Sequence, residues 1–287
     1  MSFCFFVSDL HGKLARYQKL FQQIEEKQPL AVFMGGDLLP KRSYVFQKRE
    51  ITTTTFLENY FFSELRKLKD KLGVSYPRFL VILGNDDPRS SEIFLQQAEK
   101  EGLLEYINEK WTKLKSFEVC GYSYVPPTPF LFKDWEKYDV SCFVDVGCVS
   151  PLEGFRSVPK KIKEIKYETI KKDLEHLAKA HNMEKSIMLF HAPPYKTQLD
   201  RAALDGQMVD YAPLDVHVGS IAIKDFILEK QPRLTLHGHV HESAGITGSW
   251  KQMLGNTLAF SAAHDEPELA LVIFDLTKIA EAERLLI

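Results

Sequence analysis

Five short strings hold the side chains whose types and spacing can do chemistry: Asp9-Leu10-His11, Gly35-Gly36-Asp37, Gly84-Asn85-Asp86-Asp87, a lone His191 and Gly238-His239-Val240-His241. Together they offer carboxylates, one amide oxygen and four imidazoles. That mixed nitrogen and oxygen set suits two divalent ions of manganese, iron, zinc or cobalt better than calcium, which prefers oxygen. A water held between two such ions loses its proton near neutral pH, and the same ions take up phosphoryl oxygens. The chemistry on offer is therefore hydrolysis without a serine or cysteine nucleophile.

Each string follows an apolar run that reads as a buried strand, so each falls where a strand hands over to a loop. In Asp9-x-His11 the side chains at i and i+2 would leave a strand on one face and converge. Gly35 and Gly36 permit a sharp turn before Asp37, whose two oxygens could bridge a pair of ions. Gly84 is expected to do the same ahead of Asn85, a neutral oxygen donor. His239 and His241 repeat the i, i+2 spacing. Singly, each string has a plainer reading as a turn or a hydrogen-bonded strand-end histidine. Their conjunction on one chain carries the metal reading.

The elements that must position them alternate. The strand at 3–7 leads to a helical stripe of Leu14, Tyr17, Leu20, Phe21 and Ile24, which Pro29 ends. A strand at 31–34 precedes a second helical face, Phe56, Tyr60, Phe61, Leu65, Leu68 and Leu72, starting after the threonine run 52–55 and ending at Gly73. The strand at 79–83 follows, then a helix capped by Ser90 or Ser91 and stopped at Gly102. From about 115 to 150, short aromatic segments broken by Pro126, Pro127 and Pro129 read as antiparallel strands and loops. A helix marked by Ile170, Leu174, Leu177 and Ala178 precedes a strand at 186–190, and Ser220 caps a helix through Glu229. Strands near 233–236, 257–261 and 269–274 close the chain. The βαβ order predicts a mostly parallel or mixed sheet with helices outside, in a single domain spanning 1–287.

With 287 residues, 45% hydrophobic and 26% charged, the chain can bury a full core without disulfides. A net charge of -2 gives no general electrostatic reason for a nucleic-acid or membrane partner. Cys4, Cys120, Cys142 and Cys148 lack CxxC spacing and read as core residues of a reduced protein. No apolar run approaches the ~18 residues of a membrane span, and the opening run lacks a basic leader. The expected location is the cytoplasm.

These motifs resemble the calcineurin-like metallophosphoesterase superfamily, whose pattern runs D-x-H, G-D, G-N, H and G-H-x-H. The resemblance spans residues 9 to 241. It implies an α/β fold, a four-layer α-β-β-α sandwich of two mixed β-sheets flanked by helices. It implies that Asp9, His11 and His241 bind one ion, that Asn85, His191 and His239 bind a second, and that Asp37 bridges. It further implies hydrolysis of phosphodiesters or small phosphorylated molecules by a metal-bridging hydroxide.

One departure stands out. Many members have histidine after the asparagine, where it helps protonate the leaving group, and here that position is Asp86. Nearby cations would lower an aspartate pKa rather than raise it, so Asp86 suits that role poorly. The alternative reading is a non-catalytic metal-binding scaffold on the same fold; a nuclease is a third. The neighbourhood Gly84–Ser90 also lacks the arginine placement of the superfamily's protein phosphatases. Asp87 is expected to cap the turn before Pro88. His217 and Ser220, just ahead of a helix N-terminus, are candidates to hold substrate phosphate. His264 with Asp265 could reach the cleft, Arg89 could meet a phosphate but reads rather as solvated, and Tyr122, Tyr124, Phe130, Phe132 and Trp135 either wall a pocket or pack over the sheet edge.

Overall fold

The computed structural model describes residues 2–40 and 53–287. Two six-stranded mixed sheets form the interior. The first comprises β1 (Phe3–Val7), β2 (Ala31–Gly35), β3 (Arg78–Ile82) and β4 (Glu105–Tyr106), all parallel, extended antiparallel beyond β1 by strands from the end of the chain. The second is built from β5 (Trp111–Leu114), β6 (Phe117–Tyr122), β7 (Ser186–Phe190) and, beyond a small ribbon of β8 (Met208–Val209) with β9 (Ala212–Pro213), β10 (Leu234–His237), β11 (Lys251–Leu254) and β12 (Thr257–Ser261). Its inner strands β6, β7, β10 and β12 are parallel, and β5 and β11 close the edges antiparallel. β13 (Ala270–Asp275) and β14 (Glu283–Leu286) complete the first sheet in the order β14-β13-β1-β2-β3-β4.

Strand alternation makes the layers. Cys4, Phe6, Phe33, Leu80, Ile82, Ile187 and Leu189 belong to one buried cluster, whereas their neighbours Phe5, Val7, Val32, Phe79, Val81, Met188 and Phe190 belong to another that includes helix residues. One face of these inner strands meets the opposite sheet and the other meets a helix layer, as period-two side chains require. Gly121 on β6 marks the close approach, because a Cβ there would stand 2.4 Å from Cγ2 of Ile82 on β3.

The helices are α1 (Leu14–Lys27), α2 (Thr53–Phe56), α3 (Phe62–Leu72), α4 (Glu92–Lys100), α5 (Ile162–Tyr167), α6 (Ile170–Leu177), α7 (Ile221–Lys230) and α8 (Ser243–Thr247). α1 buries Tyr17, Leu20, Phe21 and Ile24 as expected, but Leu14 is exposed and Arg16 takes a buried place on that stripe. α2 starts at Thr53, inside the threonine run, and joins α3 through a π-helical turn at Leu57–Phe61; Thr52 lies outside the described residues. α4 ends before Gly102 as predicted, with φ +67° there. Neither Ser90 nor Ser91 caps it: Asp134 accepts from the Arg89 amide at 2.7 Å and Ser157 from the Ser90 amide at 3.0 Å. A long-range partner has replaced the local cap. The antiparallel strands expected over 115–150 stop at Tyr122, and the remainder is loop with isolated bridges.

Candidate metal centre

β1, β3, β7 and β10 each end just before one of the five strings, and β2 ends on Gly35, the first residue of the second. Backbone hydrogen bonds lace the loops: the Asp9, His11 and Gly12 amides donate to the Gly36, Asp37 and Leu38 carbonyls at 3.0, 2.8 and 2.8 Å, and Gly238 donates to His191 at 2.9 Å. Asp9 and His11 do not converge by leaving a strand on one face, as the spacing suggested. Both lie beyond β1 in the left-handed region, with φ 57° and 47°, as do Asp37 at 51° and His239 at 73°. That conformation costs about 1–3 kcal/mol per residue and is held by the surrounding packing. Gly36, at φ +92°, is the expected turn glycine. Gly84 is needed for space instead, since a Cβ there would lie 2.3 Å from Oδ1 of Asp37.

Asp9, His11, Asp37 and His241 offer donor atoms that all lie within 4.8 Å of one another. Nε2 of His11 and Nε2 of His241 are 3.1 Å apart, and Oδ1 of Asp9 is 3.2 Å from the latter. The amide of His239 donates to both Asp9 oxygens, at 3.1 and 3.2 Å. On the other side, Nδ1–H of His191 donates to the Gly35 carbonyl at 2.8 Å, which turns Nε2 toward Oδ1 of Asn85 at 3.0 Å and Oδ2 of Asp37 at 3.4 Å. The His191 and His239 rings stand 5.2 Å apart. Oδ2 of Asp37 is also 4.0 Å from Nε2 of His11, so one oxygen lies between the two groups of side chains.

The electrostatics call for positive charge. Burial opposes ionisation of Asp9, yet His241 holds its carboxyl down at about 2. Asp37 is likewise buried and is held well below the usual range by His191 and His11. Burial disfavours charge on His191, but the Asp37 carboxylate pushes it up to about 10. Burial and the neighbouring His191 push His239 down to about 3. Acceptor atoms facing one another across a buried cluster are satisfied by protons or by cations, and the carboxylate, amide and imidazole set fits divalent ions.

Two supporting groups, Asp87 and the unflagged Arg16, complete the frame. Asp87 is fully buried and accepts from the amides of Leu38 at 3.1 Å, Leu39 at 2.8 Å and Gly84 at 2.9 Å, pinning the second string to the third. Burial and the nearby Asp37 push its carboxyl up to about 7 against those three donors. It braces two loops, rather than merely capping the turn before Pro88. Arg16 donates to the Asp9 carbonyl at 2.6 Å and to the carbonyls of His264 and Glu266. A cation on the apolar stripe of α1 was the signal that could have found it.

A cavity of about 570 Å³ opens beside the cluster, lined by Asp37, Asn85, Asp86, His217, His239 and His241 together with apolar residues. Asp86 donates its amide to Oδ1 of Asp37 at 2.8 Å, and its Oδ2 lies 3.7 Å from Nδ1 of His11. His217 is turned by Asp200, whose buried Oδ1 is 2.8 Å from Nδ1. Ser220 does not reach the cavity as a phosphate ligand. It caps α7 through Ile223 at 3.0 Å, and the carboxylate of Asp139 already occupies that N-terminus, accepting from Ser220 and Ile221 at 2.5 and 2.7 Å. His264 faces Glu268 at 3.4 Å and does not line this cavity. Arg89 is not solvated but half-buried, 3.0 Å from Glu92 and 3.1 Å from the Tyr124 hydroxyl. Tyr122, Tyr124 and Trp135 pack in the core, Phe132 contacts Phe155, and Phe130 alone of that set walls the cavity. Cys4 and Cys120 are core thiols, whereas Cys142 is exposed and Cys148 lines the cavity. No helix among the described residues is long and apolar enough to cross a membrane.

No curated protein matches the sequence. Among solved structures, the chain is similar to TT1561 of Thermus thermophilus (16% identity, TM-score 0.56, covering 99% of this chain and 98% of that one). It is also similar to a dimetal phosphatase from Danio rerio (10% identity, TM-score 0.52, covering 96% and 92%). These likenesses concern the fold. The sequence profile described as calcineurin-like phosphoesterase matches residues 5–243, a stretch that contains all five strings and, apart from the first two residues of β1, the strands that carry them. With that match over most of its length, the chain belongs to the calcineurin-like phosphoesterase family, metallophosphoesterase hydrolases that bind divalent metals and act on phosphate esters.

Proposed function

We propose that the chain, working as a single domain, is a dinuclear metal-dependent phosphoesterase for phosphodiesters or small phosphorylated molecules. Asp9, His11 and His241 hold one ion, Asn85, His191 and His239 the other, and Asp37 is shared. The observation that carries this reading is the position of Oδ2 of Asp37, 4.0 Å from Nε2 of His11 and 3.4 Å from Nε2 of His191. Bound there, two divalent ions supply a nucleophile at neutral pH and a counter-charge for phosphoryl oxygens.

The chain's own groups do the rest. The Gly35 carbonyl fixes the His191 tautomer so that Nε2 keeps its lone pair for a cation. Asp86 contributes its amide to Asp37 and a negative charge beside His11, which leaves proton donation to another group. His217 takes that role. With Nδ1–H donated to Asp200, its Nε2 is the atom that gives a proton to the departing oxygen.

The test is hydrolysis of nitrophenyl phosphate mono- and diesters by stripped protein reloaded with Mn²⁺ or another divalent ion, beside Asp37→Ala. The expected result is metal-dependent turnover that falls at least about 10²–10³-fold in the variant while the fold persists. Turnover surviving complete metal removal refutes the reading. Two firmly bound ions without turnover favour the scaffold alternative. His217→Ala should slow alkyl esters about 10²-fold more than nitrophenyl esters, whose leaving group departs unaided; equal losses refute its role.

A further inference from the structure

The cavity beside the metal centre has more apolar wall than a phosphoryl group can use. Pro127, Phe130, Val146, Leu204, Val209 and Leu214 line it along with the candidate metal ligands. Part of this wall is contiguous beside Gly147, where an added Cβ would meet Cδ2 of Leu214 at 3.0 Å and Cγ2 of Val209 at 3.5 Å. At the mouth, Phe130, Val146 and Val209 remain 58%, 48% and 39% exposed. Large apolar side chains left uncovered around a concave site mark a binding surface.

Around the same cavity stand four carboxylates outside the candidate ligand set: Asp86, Asp145, Asp215 and Glu242. Asp86 lies beside the cluster, 3.7 Å from His11. Asp215 is held in place by the Tyr195 hydroxyl at 2.5 Å and the His217 amide at 2.9 Å. A ligand must therefore place its phosphate at the cations and its remaining bulk against hydrocarbon, within a field that repels further negative charge.

We infer that the site selects phosphodiesters bearing an uncharged apolar ester group, seated against Val146, Val209 and Leu214, and rejects esters that carry a second anionic group. This rests on the phosphoesterase reading for the location of the phosphate. The volume of about 570 Å³ lies within the range of small-molecule sites and holds a phosphate with a short alkyl or single-ring substituent. That the wall and the candidate metal ligands line one cavity is what assigns it to substrate rather than to a second protein.

The test is calorimetric binding of dimethyl, diethyl and dibutyl phosphate to the Mn²⁺-loaded protein, with turnover of nitrophenyl esters measured separately. All three ligands are monoanions, so charge is constant. Each methylene that reaches the wall should tighten binding about fourfold, making dibutyl phosphate more than tenfold tighter than diethyl phosphate. Bis(3-carboxypropyl) phosphate, similar in length, should bind at least about tenfold more weakly than the dibutyl ester. Val209→Asp and Val146→Asp lie at exposed positions and should erase the alkyl trend.

A flat alkyl series, or a carboxylated analogue that binds as well as the dibutyl ester, overturns the inference. Dimerisation abolished by the same two substitutions, with a flat series, overturns it in favour of a second copy on the wall. The two readings fail separately. A rising series without turnover of any ester removes the phosphoesterase reading and leaves the apolar subsite, whereas turnover with a flat series removes the subsite alone.

Discussion

A methyl group added at Gly84 would stand 2.3 Å from Oδ1 of Asp37, 2.5 Å from the Asp37 amide nitrogen and 2.6 Å from Cε1 of His191. Carbon contacts settle near 3.5 Å, so relief demands a shift of about 1 Å. None of the three atoms can yield freely. Oδ1 of Asp37 accepts from the Asp86 amide at 2.8 Å, the amide nitrogen is backbone, and His191 is tied to Gly35 at 2.8 Å. Gly84→Ala must therefore displace the Asp37 carboxylate, the His191 ring or both, which on the proposed reading disturbs the ligands of the two ions. Overpacking of this kind costs about 1–3 kcal/mol of stability. A 1 Å error in a reacting site costs about 10²-fold in rate. Urea denaturation, metal content after dialysis and kcat/KM on a nitrophenyl diester measure the three consequences. Gly245→Ala in α8 is the control, because its added methyl meets nothing within 4 Å, and helix propensity makes it neutral or stabilising by up to about 1 kcal/mol. A Gly84→Ala protein with wild-type metal content and rate would refute the reasoning, as would one that simply fails to fold.

Two further outcomes are expected. Arg16→Met deprives the carbonyls of Asp9, His264 and Glu266 of a buried donor, and should lower metal affinity about 10–100-fold in a chelator competition although every candidate ligand side chain is retained. Glu136 is buried against Lys133 and Thr128, with Nζ of Lys133 at 2.6 Å, and burial pushes its carboxyl up to about 7 despite that lysine. The folded state therefore holds a proton that the unfolded chain releases near 4.5. The stabilisation is fully present below that value and is lost as pH rises through about 7, on the order of 3 kcal/mol in all. Urea midpoints measured across that window should fall with rising pH, and replacing Lys133 with Met together with Glu136→Leu should flatten the slope.

The helices show where local reading succeeds. Tyr17, Leu20, Phe21 and Ile24 recur at helical spacing, and α1 buries all four; Gly102 supplies the stop after α4. The cap at Ser90 or Ser91 failed because Asp134 lies 45 residues from the amide it serves, a distance that no local pattern reports. Ser220 was readable as a cap, but the Asp139 carboxylate that removes it from phosphate binding comes from 81 residues away. The aromatic stretch 122–138 was ambiguous for the same reason. Its rings are packed by partners in other loops, so Phe130 faces the cavity while Trp135 donates to the Asp87 carbonyl at 2.9 Å.

By itself the sequence determined the strands that lead into the five strings and the donor chemistry of Asp9, His11, Asp37, Asn85, His191, His239 and His241, because periodicity and side-chain type are local properties, whereas alternation called only for a sheet with helices outside and the two-sheet layering came from the resemblance. The tertiary structure decided how those donors meet. Their convergence comes from left-handed turns at Asp9, His11, Asp37 and His239, held by hydrogen bonds between loops of different strands, not from the strand faces that the i, i+2 spacing suggested. It also decided which carboxylates brace the site: Asp87 across 49 residues to Leu38, and Asp200 across 17 to His217. Such partners are set by packing, and packing brings together residues that the sequence keeps far apart.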